Sequence, residues 1–284
     1  MKIKGTITSL EEFNSLVEEV RRRRYITTER NLPMRWEFYR GQLDINWNII
    51  PGIARGLNNE DQIRKAELAI MSHFKSEIRR QNYLHKIYID KSYHGFEEEW
   101  AWLRQAQHYG IPTRLLDWSA KPDVALYFAV DNPNFDHIDG QFLILYYPMY
   151  DTATEGRDEG IYRQSHYSDL SKTWFINPYF GDRTDDNVAE IRRARQHGKF
   201  TIQPYNLALQ PLNLQEMSDR DYWMGNYVDP VIEKYIIPAR YKADLRLQLI
   251  ADGWHEKYLY VIDYVVIKEI ALECRQILMA FCQP

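Results

Sequence analysis

Three polar residues stand at the ends of predicted strands and have the chemistry of a binding or catalytic site. Arg40 ends an aromatic strand, Asp117 lies in the apolar segment 113–118, and Gln196 precedes a segment typical of a strand at 198–203. A guanidinium binds phosphate or ribose oxygens in a planar geometry, and a carboxylate stabilises positive charge that develops in a reaction. Residues at strand ends of one sheet converge on one edge, so we expect these three side chains to line one site.

Each of these residues also has a structural interpretation, and the sequence leaves the choice open. Arg40 is either a ligand anchor or the partner of a structural carboxylate such as Asp117, because arginine is the usual cation of buried ion pairs. Asp117 is either a site carboxylate or a cap for the turn before the next helix. The neighbouring aromatic residues Trp118, Tyr127 and Phe128 are more typical of a packed core than of ligand stacking.

Hydrophobic periodicity and turn signals predict the elements that position these residues. We predict helices at 10–23, 60–84, 96–109, 123–130, 241–252 and 263–281, and strands at 36–41, 113–118, 141–147, 198–203 and 231–238. The stretch 149–186 has no sustained periodicity, which is typical of a long loop near a site. We therefore expect a single α+β domain over 1–284, with its core at about 30–270 and the helices 10–23 and 263–281 as flanks.

Composition and charge limit the class of protein. Of the 284 residues 45% are hydrophobic and 14% aromatic, which is ample for a buried core. The net charge of −4 gives no general case for a nucleic-acid coat protein, although the basic runs 21–24 and 192–197 are possible local footprints. No apolar run is long enough to span a membrane, no signal peptide is evident, and the cysteines are too few for a zinc site. We expect a cytoplasmic protein without a metal site or a membrane partner.

Three segments of the chain resemble the FRG domain family. They are Phe38-Tyr39-Arg40-Gly41-Gln42, the stretch 107–119, and the group Arg192, Gln196, Gly198 and Phe200. The middle segment is the specific one, and its pattern continues to Ala129. A further match near Ile237 and Leu249 extends the resemblance to roughly residues 30–270. The stretch 260–265 departs from the family, which usually carries an acidic, proline-containing segment there.

A second resemblance is to the ADP-ribosyltransferase fold. It rests on Tyr39-Arg40-Gly41 at the end of a strand, on a small hydroxylated residue before an Ala-x-x-Phe helix, and on a late polar residue entering a strand. It implies a central mixed or antiparallel sheet with flanking helices. It also implies that Arg40 binds NAD, that residues 117–119 replace Ser-Thr-Ser, and that Gln196 replaces the catalytic glutamate. A glutamine supplies no charge, so Asp117 or Glu190 would take the electrostatic role.

The resemblances imply an ADP-ribosyltransferase-like enzyme, or an NAD glycohydrolase, that acts on a macromolecular target, either nucleic acid or protein. Its catalytic residues would be Arg40, Asp117 and Gln196. The residues expected to hold the NAD cofactor are Tyr39, Gly41, His108, Arg114, Trp118, Ser119 and Arg192. The alternative is a non-catalytic module of the same fold that binds a nucleotide or a nucleic acid through Arg40, Arg114, Arg192 and neighbours. The missing glutamate favours this module, whereas the convergence of three polar strand ends favours the enzyme.

Overall fold

A mixed sheet forms the centre of the fold. The computed structural model describes residues 3–29, 35–82, 94–148, 166–171, 173–176, 195–212, 231–259 and 265–282. Within these ranges the strands are β1 Ile3–Thr6, β2 Arg35–Gln42, β3 Leu115–Ser119, β4 Gly140–Pro148, β5 Trp174–Ile176, β6 Gly198–Ile202 and β7 Val231–Ile237. Their order is β1-β7-β4-β2-β3-β6-β5. Strand β1 pairs with β7 in parallel, and the other neighbours pair antiparallel.

Helices pack against this sheet and carry clear end signals. They are α1 Leu10–Glu29, α2 Glu60–Arg80, α3 Phe96–His108, α4 Pro122–Val130, α5 Ala239–Ala251, α6 Glu256–Leu259 and α7 Val265–Phe281. The Asn59 side chain caps α2 by accepting from the Gln62 amide, and Ser9 accepts from the Glu12 amide at the start of α1. No helix in the described ranges is long and apolar enough to cross a membrane.

The α+β class and the main predicted elements are confirmed, but three short elements were missed and two helix bounds differ. Strand β1 was missed, because four residues that pair with a strand far away in the sequence show no periodicity of their own. Strand β5 lies inside the stretch 149–186, which we predicted as a loop, and the short helix α6 was also missed. The helix predicted at 10–23 continues to Glu29, and the one predicted at 60–84 ends at Arg80.

Both faces of the sheet are buried. Two hydrophobic clusters lie side by side on one face. Tyr39 pairs with Ser119, so every second side chain of β2 and of β3, counted from these two residues, lies on this same face. One cluster joins α1, α4 and α5 to the sheet through Phe13, Tyr39, Val124, Phe142 and Leu245. The other joins α2, α3 and α7 through Ile70, Trp102, Leu115, Ile202 and Cys274. The opposite face is filled by Phe38, Leu116, Trp118, Leu143 and Phe175.

A buried ion pair ties α2 to the start of β3. The Arg114 side chain is fully buried, and its Nε donates to Glu67 Oε2 at 2.9 Å. Its two terminal nitrogens donate to the carbonyls of Gln203 and Tyr167. The guanidinium lies 3.6 Å from the ring centroid of Tyr205, whose hydroxyl donates to Glu67 at 2.6 Å. Burial, reinforced by the charge of Glu67, raises the pKa of Tyr205, so this hydroxyl keeps its proton.

Replacing Glu67 tests how much the fold depends on this pair. Glu67→Gln keeps the shape of the side chain but leaves the Arg114 cation buried without its counter-charge. We expect the free energy of unfolding to fall by about 3–5 kcal/mol in chemical denaturation. Lys65→Gln is the matched control, because it removes one partner of the exposed pair with Asp61 and should cost below about 1 kcal/mol. Equal losses in the two variants would contradict the structural role of the buried pair.

Candidate functional site

Arg40 lies where β2 and β3 separate. Within these two described strands the pairing consists of Tyr39 with Ser119. If the antiparallel ladder continued, Gly41 would come opposite Asp117. Instead, the Asp117 carbonyl accepts a hydrogen bond from Arg40 Nη1 at 2.7 Å. The Arg40 side chain therefore lies in a gap between β2 and β3. It supplies the hydrogen-bond donor that the main chain of β2 would supply in a continuous ladder.

The charge and the hydrogen-bond donors of the Arg40 guanidinium are only partly satisfied by the described residues. Its Nε is buried and has no hydrogen-bond partner among the described residues. Burial lowers the pKa of Arg40 to about 10, the charge of Arg55 acts in the same direction, and the charge of Asp117 opposes it. The group stays cationic at neutral pH. A half-buried cation with an unused donor is suited to an anionic ligand.

The guanidinium of Arg55 is a second cation that interacts electrostatically with Asp117. It follows the turn Gly52–Ala54, and the Ile53 amide of this turn donates to the Thr113 carbonyl at 3.3 Å. Partial burial lowers the pKa of Arg55, and Asp117 raises it. Sequence reasoning missed Arg55 because it lies in an aperiodic loop. The signal for Arg55 in the sequence was a single basic residue in the turn between Pro51 and Gly56.

Hydrogen bonds from α3 hold the Asp117 carboxylate. Gln107 Nε2 donates to Asp117 Oδ2 at 2.6 Å, and Thr113 Oγ1 donates to Gln107 Oε1 at 2.6 Å. Asp117 is exposed, although Leu115 and Ser119 on the same face of β3 are buried. Gln107 stands in the specific motif, but neither its residue type nor its spacing indicated a role. The carboxylate is thus fixed in orientation and open to solvent.

The structure separates the interpretations of Asp117 that the sequence left open. The turn before α4 is served by Ser119, whose Oγ accepts from the Lys121 amide at 2.9 Å. The helix itself has no side-chain cap at Lys121. Asp117 is therefore not the cap of this turn. The hydrogen bond of Arg40 goes to the main chain of Asp117, and the carboxylate accepts from Gln107 Nε2.

Gln196 lies at the entrance of β6 and is joined to β3. Ser119 Oγ donates to the Gln196 carbonyl at 2.7 Å, so the end of β3 lies beside the residues that precede β6. The Gln196 side chain donates from Nε2 to the Leu259 carbonyl at 3.0 Å and so secures the end of α6. An amide can make this bond and a carboxylate cannot. A glutamine at position 196 therefore has a structural use.

Three predicted cofactor residues have packing roles instead. Tyr39 is buried and stacks on Phe142 at 5.8 Å between ring centroids. Trp118 is buried, and its indole donates to Thr201 Oγ1 at 3.0 Å. Arg114 is the buried cation described above, so its position corrects the expectation that it holds a ligand.

The cofactor-binding role of two other residues stays a prediction. His108 is half-buried with its ring 5.3 Å from that of Tyr109, between centroids. Arg192, like Glu190, lies outside the described residues.

Gly41 serves the approach of a helix rather than of a ligand. A Cβ at this position would lie 1.9 Å from the Ala125 carbonyl oxygen and 2.7 Å from the Ala129 nitrogen. Helix α4 therefore packs on β2 so closely that only glycine fits. This contact holds the end of β2, and with it Arg40, against α4.

Gly41→Ala tests this close approach. Because the added methyl group meets backbone atoms that cannot rotate away, we expect a loss of stability of about 3 kcal/mol in chemical denaturation. Gly52→Ala is the control, since a Cβ added there would meet nothing within 4 Å, and it should change stability by less than about 0.5 kcal/mol. A stable Gly41→Ala protein that no longer binds a ligand would show that the glycine serves ligand approach.

Comparison with known proteins identifies part of the chain. The family model described as FRG domain matches residues 36–137. This range contains Arg40, Arg55, Gln107 and Asp117, and it ends before Gln196. No curated protein and no solved structure matches the chain. In the described residues no group of three or more His, Cys, Asp or Glu side chains is placed to hold a metal ion.

Proposed function

We propose that this chain, which matches the FRG domain family over residues 36–137, cleaves NAD at the nicotinamide–ribose bond, as an ADP-ribosyltransferase or an NAD glycohydrolase. The observation that supports this is the partly compensated Arg40 cation at the β2–β3 gap, with its buried Nε unused among the described residues. Arg55 adds a second cation. A pyrophosphate carries enough charge and acceptor oxygens for both guanidiniums.

Asp117 is the carboxylate that we assign to the reaction. Cleavage of the bond passes through an oxocarbenium-like state, in which the ribose carries developing positive charge. Nicotinamide leaves as a neutral base with the electron pair of the broken bond. Water or a target group then forms the new bond to the ribose carbon and releases a proton. A fixed carboxylate beside the ribose stabilises the transition state more than the ground state.

Gln196 favours a second candidate, a non-catalytic module that binds a nucleotide. The transferases that the chain resembles have a glutamate at this position, whereas the amide here is engaged with the Leu259 carbonyl. Such a module would use Arg40 and Arg55 to bind the nucleotide and would leave it intact. Turnover of NAD separates the two candidates.

Substitution of Asp117 tests the enzymatic role. Asp117→Asn keeps the size of the side chain and removes its charge, so we expect the release of nicotinamide from labelled NAD to fall about a hundredfold in kcat. The KM for NAD should change much less, because the carboxylate acts on charge that forms only in the transition state. Asp61→Asn, an exposed aspartate on α2, is the matched control and should leave turnover unchanged.

Gln196→Glu supplies the decisive comparison for this assay. If the position corresponds to the catalytic glutamate, the added carboxylate should raise nicotinamide release, even though it loses the bond to Leu259. NAD binding without nicotinamide release by either the native chain or Gln196→Glu would contradict the enzymatic proposal. The non-catalytic module would then stand.

A further inference from the structure

Three segments beside the proposed site meet in a surface that combines cations with aromatic rings. The Ala120 amide donates to the His197 carbonyl at 3.0 Å, which joins the turn after β3 to the entrance of β6. Arg195 Nη1 donates to the Tyr258 carbonyl at 3.1 Å, which joins this entrance to α6. We call these residues the basic–aromatic surface: Lys121, Arg195, His197, Lys199, Trp254 and Tyr258.

The cations of this surface are grouped around one exposed histidine. Partial burial lowers the pKa of His197, and the charges of Lys121 and Lys199 lower it further, so both lysines lie within electrostatic reach of its ring. Arg195 adds a third cation two residues before it. Asp123 and Glu256 are acidic neighbours in the adjoining helices. The chain as a whole has a net charge of −4, so the grouping is a local feature rather than a consequence of composition.

The aromatic rings are arranged next to these cations and reach solvent. Lys121 Nζ lies 5.4 Å from the ring centroid of Trp254, and the Arg195 guanidinium carbon lies 4.8 Å from that of Tyr258. The two rings meet edge to face at 5.8 Å between centroids, and each is half-buried. His197 has a φ of 47°, a conformation that residues with a Cβ rarely adopt and that is frequent in functional sites.

We propose that the basic–aromatic surface binds single-stranded nucleic acid, which would be the target of the ADP-ribosyl transfer. Cations bind successive phosphates, and partly exposed rings stack on unpaired bases. A duplex hides the faces of its bases, and an acidic peptide would use the charges but not the rings. The surface adjoins the site through the bond of Ser119 to Gln196. The role as target rests on the proposed function, whereas nucleic-acid binding requires no NAD.

Fluorescence anisotropy with labelled 12-nucleotide DNA and RNA single strands, without NAD, tests the proposal. The slope of log affinity against log salt is negative, and we expect its magnitude to fall by about 0.7 for each of Lys121→Gln and Lys199→Gln, with affinity about fivefold lower at 0.1 M salt. Trp254→Leu should weaken binding about tenfold without changing the slope. Lys65→Gln on α2 removes the same charge from an exposed lysine elsewhere and should leave binding unchanged.

Melting temperatures of all the variants verify that each protein is folded. Absence of oligonucleotide binding at low salt, or an equal loss in Lys65→Gln, would overturn the proposal. Equal competition by polyglutamate and by an unlabelled strand of the same charge would overturn the choice of nucleic acid. Arg40→Lys separates the two proposals, because it should weaken NAD binding and leave oligonucleotide binding intact. A higher affinity for the DNA strand or for the RNA strand identifies which of the two nucleic acids the surface binds.

Discussion

The buried pair of Arg114 and Glu67 is the interaction on which the site depends. It connects α2 to β3 three residues before Asp117, and its remaining donors hold the carbonyls of Gln203 and Tyr167. Removing two charges from water is unfavourable unless every donor and acceptor finds a partner, and this pair meets that condition through Tyr205. The neighbouring Thr113 then orients Gln107, which orients Asp117. The geometry of an exposed carboxylate is thus set by a fully buried cation.

The gap between β2 and β3 is the second constraint. Close packing of α4 on Gly41 holds the end of β2, and the gap beyond the Tyr39–Ser119 pair leaves the Asp117 carbonyl to Arg40. This arrangement keeps a cation half-buried with a donor unused among the described residues. Burial of this cation is unfavourable, its hydrogen bond to the Asp117 carbonyl offsets that cost in the unliganded protein, and an anion that binds only the folded chain adds further stability. The unused donor of this cation therefore supports ligand binding.

The sequence predicted the elements better than the roles of single residues. Amphipathic helices such as α2 and the strands β2, β3 and β6 followed from periodicity, and β2, β3 and β6 are neighbours in the sheet. The sequence did not decide the role of Arg114, because a polar residue on a strand can face either side of the sheet. Its partner Glu67 lies 47 residues earlier, on a helix where it looks like any surface carboxylate. Arg55 was missed because loops carry no periodic signal, and only tertiary contacts bring it toward Asp117.

The central claim is that Arg40 holds a ligand and does not hold the fold. Calorimetric titration of NAD into the native chain and into Arg40→Ala tests it most directly, with melting temperatures measured in the absence of ligand. The account predicts saturable binding to the native chain and at least about tenfold weaker binding to Arg40→Ala, since a charge-assisted contact contributes about 1.5–3 kcal/mol. It also predicts nearly equal melting temperatures. Equal NAD binding by the two proteins, or a loss of about 3–5 kcal/mol in the stability of unliganded Arg40→Ala, would contradict it and make Arg40 a structural ion.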